Sequence, residues 1–534
     1  MDAAAQRKQL IKQTLVQQTQ WDLVVIGGGI TGAGILLRAA QRGLKVLLVE
    51  QKDFAWGTSS RSSKMVHGGL RYLAKGDFAL TRESVREREL LANQLPGLVE
   101  PMSYIYAHYR GRWVERFGLR LILKLYDYFA GRVTHRGLDA EETREMLPGI
   151  RCQGLVAGTR FEDAVTDDAR LVLRTLDEAH QLGAVAINYL QVSDLIYKDD
   201  AVIGVKLEDV VENQVFSVNA SCTVNACGAW VDKLWGKLGG KEGDKQQRIR
   251  PLRGSHIVIP GHRLPIGSAL ALPHPVDGRN VFIFPWEQTT VIGTTDLDHD
   301  QPMDQDPSIN RVELDYLLQC LDYQFPDLNL QADEILSTWS GVRPVISEKE
   351  GVSPSDEKRE HAVWSEPGLV SVGGGKLTTF RAIADQVLDR IAAQGLLPGL
   401  QTDQVPMFES GLVMACPREL GAGAWRRLVG RYGRRLSEWW PLNANSQRVG
   451  STPTLWCELY WAASAQQVVH LDDLLLRRTR IGVQLPHGAR DWLPQIKELC
   501  LPILGWDEEV WEQEQSRYLN IIERYYGVPE PLDG

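Results

Sequence analysis

The sequence predicts a mixed α/β and α+β protein with a parallel sheet near its N-terminus, a second sheet in its middle and a helical C-terminal region. Leu23–Ile26 and Lys45–Val49 are apolar runs typical of strands buried on both faces, and they flank a helical pattern over Ile30–Ala40. Strand-like runs then recur up to about residue 300 and again near residue 370, whereas the chain after about residue 415 is mostly helical in pattern.

Composition excludes several classes of protein. A chain of 534 residues with 43% hydrophobic and 24% charged residues is typical of a globular protein with more than one domain. The net charge of −9 argues against nucleic acid as a partner of the whole molecule. The seven cysteines have no metal-ligand spacing, so we expect reduced thiols and no metal site. We expect neither a signal peptide nor a membrane-spanning helix.

The most specific motif follows the first strand. Gly27, Gly29 and Gly32 fit G-x-G-x-x-G between a strand and a helix, and Glu50 ends the second strand. In this context the glycines allow a tight turn, close approach of a pyrophosphate and tight packing of helix on strand. The helix N-terminus attracts phosphate, and Glu50 would accept hydrogen bonds from a ribose while repelling a 2′-phosphate.

A polar loop, Gly57–Tyr72, follows this unit. Such a loop is often a solvated connection, but its position after a nucleotide-binding unit favours contact with a cofactor and a substrate. The charged helical pattern over Asp77–Leu95 is interpreted as a solvated face. Residues 1–20 are interpreted as a polar helix or a frayed arm.

The segment Arg110–Arg136 combines a basic stripe with a broad apolar face in a helical pattern. The stripe consists of Arg112, Arg116, Arg120 and Lys124, beside the rows Trp113, Phe117, Leu121, Leu125 and Val114, Ile122, Tyr126, Phe129. A basic amphipathic helix can lie on an anionic membrane. It can equally pack on the protein's own core, and the pattern leaves both interpretations open.

A second strand–glycine–helix pattern covers Leu369–Arg381 and places another helix N-terminus where it could face the cofactor. Residues 400–415 resemble a linker. The helical remainder contains charged amphipathic stretches over Asp472–Arg480 and Glu508–Tyr526, and its tryptophans are interpreted as core and interface anchors.

Six stretches, in order, carry a resemblance to a known family. They are Ser59–Tyr72 (SSRSSKMVHGGLRY), Arg253–Val258 (RGSHIV), Ile292–Asp296 (IGTTD), Gly341–Pro344 (GVRP), Gly373–Thr379 (GGGKLTT) and Arg477–Gly482 (RRTRIG). The sequence resembles the FAD-dependent, aerobic glycerol-3-phosphate dehydrogenases. This resemblance implies a Rossmann-like FAD-binding domain of the glutathione-reductase/D-amino-acid-oxidase type, a sheet-based substrate domain and a helical C-terminal domain.

The resemblance also implies a function and a location. We expect noncovalent FAD, oxidation of sn-glycerol 3-phosphate to dihydroxyacetone phosphate, and transfer of electrons to membrane quinone. We expect peripheral attachment to the cytoplasmic face of the membrane through Arg110–Arg136, with a homodimer as the candidate assembly. The expected domains are 1–80 with 150–235 and 340–400 for FAD, 81–149 with 236–339 for substrate, and 401–534 as the helical domain.

The substrate phosphate calls for cations, because the planar guanidinium of arginine suits a dianion. The substrate-binding candidates are Arg71, Tyr72, Asp296, Arg343, Arg359 and Lys376, where Arg359 lies in a stretch that matches the family loosely. Arg343 could instead tie two loops together, and Lys376 could cap a carbonyl. Asp296 could orient a cation or cap a helix.

The catalytic candidates are His67, Arg343 and Lys376. His67 could act as general base or merely hydrogen-bond the flavin, and His256 is a second candidate base. The residues expected to bind the cofactor are Gly27, Gly28, Gly29, Thr31, Gly32, Glu50, Thr58, Ser59, Ser60, Ser63, Lys64, His67, Gly69, Gly228, Gly374, Gly375, Lys376, Leu377 and Thr378.

Three other functions compete with this hypothesis. An oxidase would use the same substrate and reduce oxygen. An amine-oxidising flavoenzyme would need fewer cations and more aromatic residues around its substrate. A flavin-binding scaffold protein would bind the cofactor without turnover.

Overall fold

The computed structural model describes residues 2–74, 76–111, 113–237, 248–346, 361–397, 405–409, 414–440 and 445–530, and within them the side chains of 71, 74, 113–116 and 235–237 are not described. The strands, numbered along the chain, are β1 Gln20–Ile26, β2 Val46–Val49, β3 Met65–Val66, β4 Val99–Tyr109, β5 Arg136–Asp139, β6 Leu155–Thr166, β7 Val185–Ile187, β8 Leu190–Lys198, β9 Ala201–Asp209, β10 Gln214–Asn225, β11 Ile249–Pro260, β12 Ala269–Pro273, β13 Asn280–Trp286, β14 Thr289–Gly293, β15 Leu297–Asp298, β16 Ser337–Ile346, β17 His361–Glu366 and β18 Leu369–Gly374.

The helices are α1 Ala3–Ile11, α2 Ile30–Gln41, α3 Leu70–Ala74, α4 Phe78–Gln94, α5 Trp113–Ala130, α6 Ala140–Met146, α7 Asp168–Gln181, α8 Val231–Lys237, α9 Arg311–Gln324, α10 Phe380–Ala393, α11 Ala422–Tyr432, α12 Leu436–Trp439, α13 Trp456–Ala465, α14 Ile481–Gln484, α15 Leu493–Leu504 and α16 Glu508–Ile521. The predicted α/β order and helical C-terminal region are confirmed.

The first sheet has a parallel centre in the order β18-β10-β1-β2-β7, with β17 antiparallel at one end and β9 and β8 added through β10. Its strands β1 and β2 are almost wholly buried, which explains their continuous apolar runs. Helices α2 and α10 pack together on this sheet, and a Cβ at Gly34 would lie 2.8 Å from the Phe380 ring. The carboxyl ends of the parallel strands therefore share one edge, with a glycine turn after both β1 and β18.

The second sheet runs β15-β11-β14-β13-β12-β4-β6-β3, with β16 on β11 and β5 on β6. Its membership differs from the expected domain boundaries. Strand β6, expected with the FAD-binding segments 150–235, pairs along its length with β4. Strand β16, expected with 340–400, pairs with β11. Both strands belong to the second sheet, whereas the strands that follow them, β7 and β17, belong to the first, so the chain passes between the sheets inside the segments expected to bind FAD.

The C-terminal helices pack on the second sheet. Their buried side chains, such as Leu475, Trp511 and Tyr518, share one core with Met65 and Trp339. The tryptophans of this region, including Trp439 and Trp461, are mostly buried, as the interpretation of them as anchors requires.

The charge expected on a solvated face of α4 is partly buried, and residues 1–20 begin with the expected helix rather than the frayed arm. Helix α4 buries Glu87 and Arg88, each 2% exposed, because Glu87 accepts hydrogen bonds from Arg381 and Arg88 donates to Asp163. Helix α1 is no frayed arm, since its Arg7 is buried and donates to both carboxylate oxygens of Asp209 at 2.9 Å. In both places charged residues connect segments far apart in sequence.

Helix α5 packs one face on the protein and exposes the other. Leu123 and Tyr126 are fully buried, and the Tyr126 hydroxyl donates to Asp163 at 2.5 Å. On the outer face Phe117, Leu121 and Tyr128 are 71%, 63% and 78% exposed. Among the described residues no helix is both long enough and apolar enough to cross a bilayer.

Candidate active site

The first glycine turn is built by close contacts between backbone atoms. Gly27 has a φ of +115°, and a Cβ there would lie 2.6 Å from the carbonyl oxygen of Ala226. A Cβ at Gly32 would lie 1.9 Å from the carbonyl oxygen of Gly27, so only glycine lets α2 begin this close to β1. At the helix start, the Ile30 amide donates to Ser59 Oγ at 3.0 Å.

Glu50 occupies the expected position at the end of β2. Its carboxylate accepts hydrogen bonds from the amides of Gly28 at 2.7 Å and Lys52 at 2.9 Å. Burial raises the pKa of Glu50, and these two donors oppose that effect. A carboxylate has about four acceptor positions, so capacity remains for ribose hydroxyls.

A long cavity runs along the shared carboxyl edge of the parallel strands. It is lined by both glycine turns and by the ends of β1, β2, β8 and β10. The predicted cofactor residues that line it are Gly27, Gly29, Thr31, Glu50, Thr58, Ser59, Gly228, Gly374, Gly375, Lys376 and Leu377. Ligands of open α/β sheets bind at this edge.

The second glycine turn brings two predicted motifs together. The Lys376 ammonium lies 3.6 Å from the centre of the Tyr72 ring, and this ring stacks on His67 with centres 6.3 Å apart. The His67 amide donates to Thr378 Oγ1 at 3.2 Å. Residues separated by about 300 positions in sequence therefore form one cluster beside the cavity.

Arg343 and Asp296 form a second cluster. The guanidinium of Arg343 donates to Asp296 Oδ1 at 3.0 Å and to Thr294 Oγ1 at 2.9 Å. Asp296 therefore orients a cation, and the residues after it form strand β15 rather than a helix to cap. Pro344, next to Arg343, lines the same cavity as Lys376, which connects the two clusters.

Glycines of the matching motifs clear space for these side chains. A Cβ at Gly254 would lie 2.2 Å from Arg343 Nη2, and one at Gly293 would lie 2.2 Å from His256 Cδ2. The glycine of RGSH thus leaves room for Arg343, and the glycine of IGTTD leaves room for His256.

His256 is buried, 1% exposed, and stacks on Trp339 with ring centres 5.1 Å apart. Its Nε2 shares a hydrogen bond of 2.9 Å with Ser63 Oγ, while Nδ1 has no hydrogen-bond partner among the described residues. Burial, together with the positive charges of Arg343 and Lys64, holds the pKa of His256 well below its usual value. The ring is therefore neutral near pH 7.

Other predicted cofactor residues lie outside the cavity wall. Lys64 is fully buried, donates to Asp168 at 2.8 Å and lies against the rings of Trp286 and Trp339, so its side chain is turned away from the cavity. Burial lowers the pKa of Lys64 to about 8. The residues Gly28, Gly32, Ser60, Ser63, His67, Gly69 and Thr378 are also not among those that line this cavity.

Two substrate candidates lie beyond what the structure describes. The backbone of Arg71 belongs to α3, next to Tyr72, but its side chain is outside the described residues. Arg359 falls in the undescribed range 347–360.

Sequence reasoning missed part of the cavity wall. Trp56, Trp230 and the segment 190–192 line it, with the Trp56 and Trp230 ring centres 5.5 Å apart. The segment 190–192 carries no motif. Trp56 precedes the polar loop that begins at Gly57, and Trp230 follows Gly228, but the proximity of the two rings follows only from the fold.

These residues fit a dinucleotide cofactor. The wall combines a helix N-terminus, backbone at Gly27 and Gly29 with no room for side chains, and a buried carboxylate at the end of β2. The same features bind the pyrophosphate and ribose of FAD or NAD in this class of sheet.

Comparison with known proteins narrows this class. A family model described as FAD dependent oxidoreductase matches residues 22–389, and one described as the C-terminal domain of alpha-glycerophosphate oxidase matches residues 378–510. The aerobic glycerol-3-phosphate dehydrogenase of Staphylococcus saprophyticus is 33% identical over 96% of this chain and 97% of its own length. That of Staphylococcus aureus is 33% identical over 89% of each.

Two solved structures are similar to this chain. The glycerol-3-phosphate dehydrogenase from Bacillus halodurans complexed with FAD has a TM-score of 0.72 and 29% identity, covering 98% of this chain and 97% of that one. The L-alpha-glycerophosphate oxidase from Mycoplasma pneumoniae has a TM-score of 0.57 at 19% identity, over 70% of this chain and 95% of that one, and shares the fold. The protein is an FAD-dependent oxidoreductase. Within that class the chain belongs to the family of aerobic glycerol-3-phosphate dehydrogenases.

Gly32→Ala tests the cofactor turn. Because the added Cβ would overlap the Gly27 carbonyl oxygen, we expect FAD affinity to fall by about 100-fold or more. Gly423→Ala in α11 is the matched control, since a Cβ there meets nothing within 4 Å. The measurements are flavin absorbance per protein after gel filtration and circular dichroism to verify folding. Full flavin content in folded Gly32→Ala would contradict this assignment.

Proposed function

We propose that this protein oxidises sn-glycerol 3-phosphate to dihydroxyacetone phosphate and passes the electrons to a membrane quinone. The observation that carries the proposal is that Lys376 lines the cavity defined by the glycine turns and that Arg343 adjoins Pro344, which lines it too. The relatives named as aerobic glycerol-3-phosphate dehydrogenases support this choice of substrate.

The cations are proposed to bind the substrate. Arg343 is held by Asp296 and Thr294, so its planar fork is fixed before a phosphate or hydroxyl arrives. Lys376 supplies a point charge over the Tyr72 ring. Arg71 and Arg359 complete the proposed set. Fixing an anionic alcohol in one orientation can lower the barrier by several kcal/mol.

Oxidation of a secondary alcohol also requires removal of the hydroxyl proton. The proposed general base is His67, because it is half-buried and belongs to the cluster with Tyr72 and Lys376. His256 is the alternative. It is neutral and could accept a proton, but it is buried and its Nε2 is engaged with Ser63.

When bound, FAD supplies the acceptor for the hydride from carbon. The protein's part is to hold the substrate carbon close by and to stabilise negative charge that develops beside Lys376. Helix α10 begins just after Lys376 and Leu377, so the positive end of its dipole lies at this part of the cavity.

Anaerobic titration tests the proposed activity as a whole. Glycerol 3-phosphate should bleach the flavin absorbance of the holoenzyme, and a ubiquinone analogue should restore it faster than oxygen does. No bleaching would contradict the proposed substrate and favour a scaffold role. Faster recovery with oxygen, with peroxide formed, would favour the oxidase.

Arg343→Ala tests the substrate site. Loss of a fixed guanidinium from an anionic substrate should lower kcat/KM by about 100-fold or more, because charge-assisted hydrogen bonds contribute about 1.5–3 kcal/mol each. Flavin content should not change. Arg263→Ala is the control, since Arg263 pairs with Glu334 beyond the far end of β11. If Arg343→Ala left the steady-state kinetics unchanged, the result would favour the alternative, in which Arg343 only connects two loops.

Helix α5 is proposed to attach the protein peripherally to the cytoplasmic face of the membrane, close to its quinone. The helix is fixed to the protein through Tyr126, yet exposes Phe117, Leu121 and Tyr128 together with Arg120 and Lys124. An exposed apolar row beside cations is suited to the headgroup region of an anionic bilayer.

Two variants separate the apolar and electrostatic contributions to this attachment. Phe117→Ser with Leu121→Ser, and Arg120→Glu with Lys124→Glu, should each reduce sedimentation with vesicles containing phosphatidylglycerol by at least fivefold. Turnover with a soluble acceptor should be unchanged. Arg82→Glu with Arg86→Glu, on the exposed side of α4, is the charge-matched control. If only this control altered sedimentation, α5 would not be the binding surface.

A further inference from the structure

The C-terminal motif Arg477–Gly482 remains unexplained by the proposed chemistry. Its three arginines, Arg477, Arg478 and Arg480, are 1%, 1% and 2% exposed, although the sequence pattern suggested an amphipathic surface. We call them the arginine cluster. They face residues 50–64, which connect β2 to β3 and which we call the cofactor loop.

The first contact is at Asp53, three residues after Glu50. Asp53 is fully buried, and Arg478 donates to both of its carboxylate oxygens at 2.7 Å. Arg477 donates to Asp53 at 2.5 Å and is itself held by Asp472 and Asp473, each at 2.6 Å. The beginning of the cofactor loop is therefore fixed by planar, bidentate contacts from the C-terminal region.

The second contact is at the other end of the loop. Arg480 donates to the carbonyl oxygen of Ser60 at 2.8 Å and lies 3.5 Å from Asp168. Asp168 also accepts hydrogen bonds from the amide and hydroxyl of Ser62 and from Lys64. The arginine cluster thus holds the loop at both ends.

Between these contacts lie the parts of the loop that face the cofactor cavity. Thr58 and Ser59 line the cavity, and Ser59 accepts the amide of Ile30 at the start of α2. Phe54, next to Asp53, packs on the glycine turn, because a Cβ at Gly28 would lie 2.9 Å from its ring. Displacement of either end would therefore move groups that contact FAD.

We infer that the arginine cluster positions the cofactor loop, so that docking of the C-terminal region and binding of FAD favour each other. None of the three arginines lines the cofactor cavity, so they are positioning residues. Because linkage is reciprocal, FAD must stabilise the docked C-terminal segment by as much as that segment increases FAD affinity. The inference depends on the FAD site alone and not on the proposed substrate.

Arg480→Met is the main test, since Asp167 keeps Arg431 and Asp168 keeps Lys64 as partners in this variant. We expect the Kd for FAD, measured by flavin fluorescence on the apoprotein, to rise at least tenfold. Arg480→Lys should restore part of the affinity. Lys497→Met is the control, because Lys497 pairs with Glu508 inside the C-terminal region and makes no described contact with the arginine cluster or the loop.

If Arg480 had a purely structural role, Arg480→Met would lower the melting temperature of the apoprotein and leave its Kd for FAD unchanged. That result would overturn the inference. If Arg480→Met fails to fold, the wild-type protein provides the test through hydrogen exchange with and without FAD. FAD should slow exchange in residues 472–482 but not in α16. Slowing at residues 27–32 with no change at 472–482 would also overturn it.

Discussion

The structure depends on the parallel pairing of β10 with both β1 and β18. This pairing fixes Val24 beside Thr223 and Thr223 beside Leu369, so two strands more than 300 residues apart end at one edge. Each strand is followed by a glycine turn and a helix, and both turns therefore meet the same cavity. The two glycine turns converge because this register is set by buried, uninterrupted apolar strands.

The second sheet contributes side chains near this edge from motifs that each contain a glycine. Its motifs RGSH, IGTTD and GVRP lie on β11, at the end of β14 and on β16, and both β14 and β16 pair with β11. Their glycines leave the space through which the Arg343 and His256 side chains pass. The glycine of one strand therefore leaves room for the polar side chain of a neighbouring strand. This explains why glycine and polar residues occur together in these motifs.

Local sequence patterns were sufficient to predict the main strands and helices and part of the candidate site. Strand β1, the turn at Gly27 and helix α2 lie where the sequence predicted them, because tight backbone geometry leaves a direct signature in glycine spacing. The wall residues Trp56 and Trp230 could not be found in this way, because only the fold brings them together. Lys64 was expected at the cofactor because its loop is polar, but burial against Asp168 turns it away.

Buried charge was the most difficult feature to predict. Periodicity reports which residues share a helix face, but not whether a distant carboxylate will cover that face. Glu87 pairs with Arg381, and Asp53 with Arg477 and Arg478, each across about 300 residues or more. A buried ion pair adds little to the free energy of unfolding compared with an apolar contact of similar volume. Such pairs are therefore better explained by the relative position in which they hold the two segments. In this chain they connect the cofactor loop and α4 to the segments that complete the site.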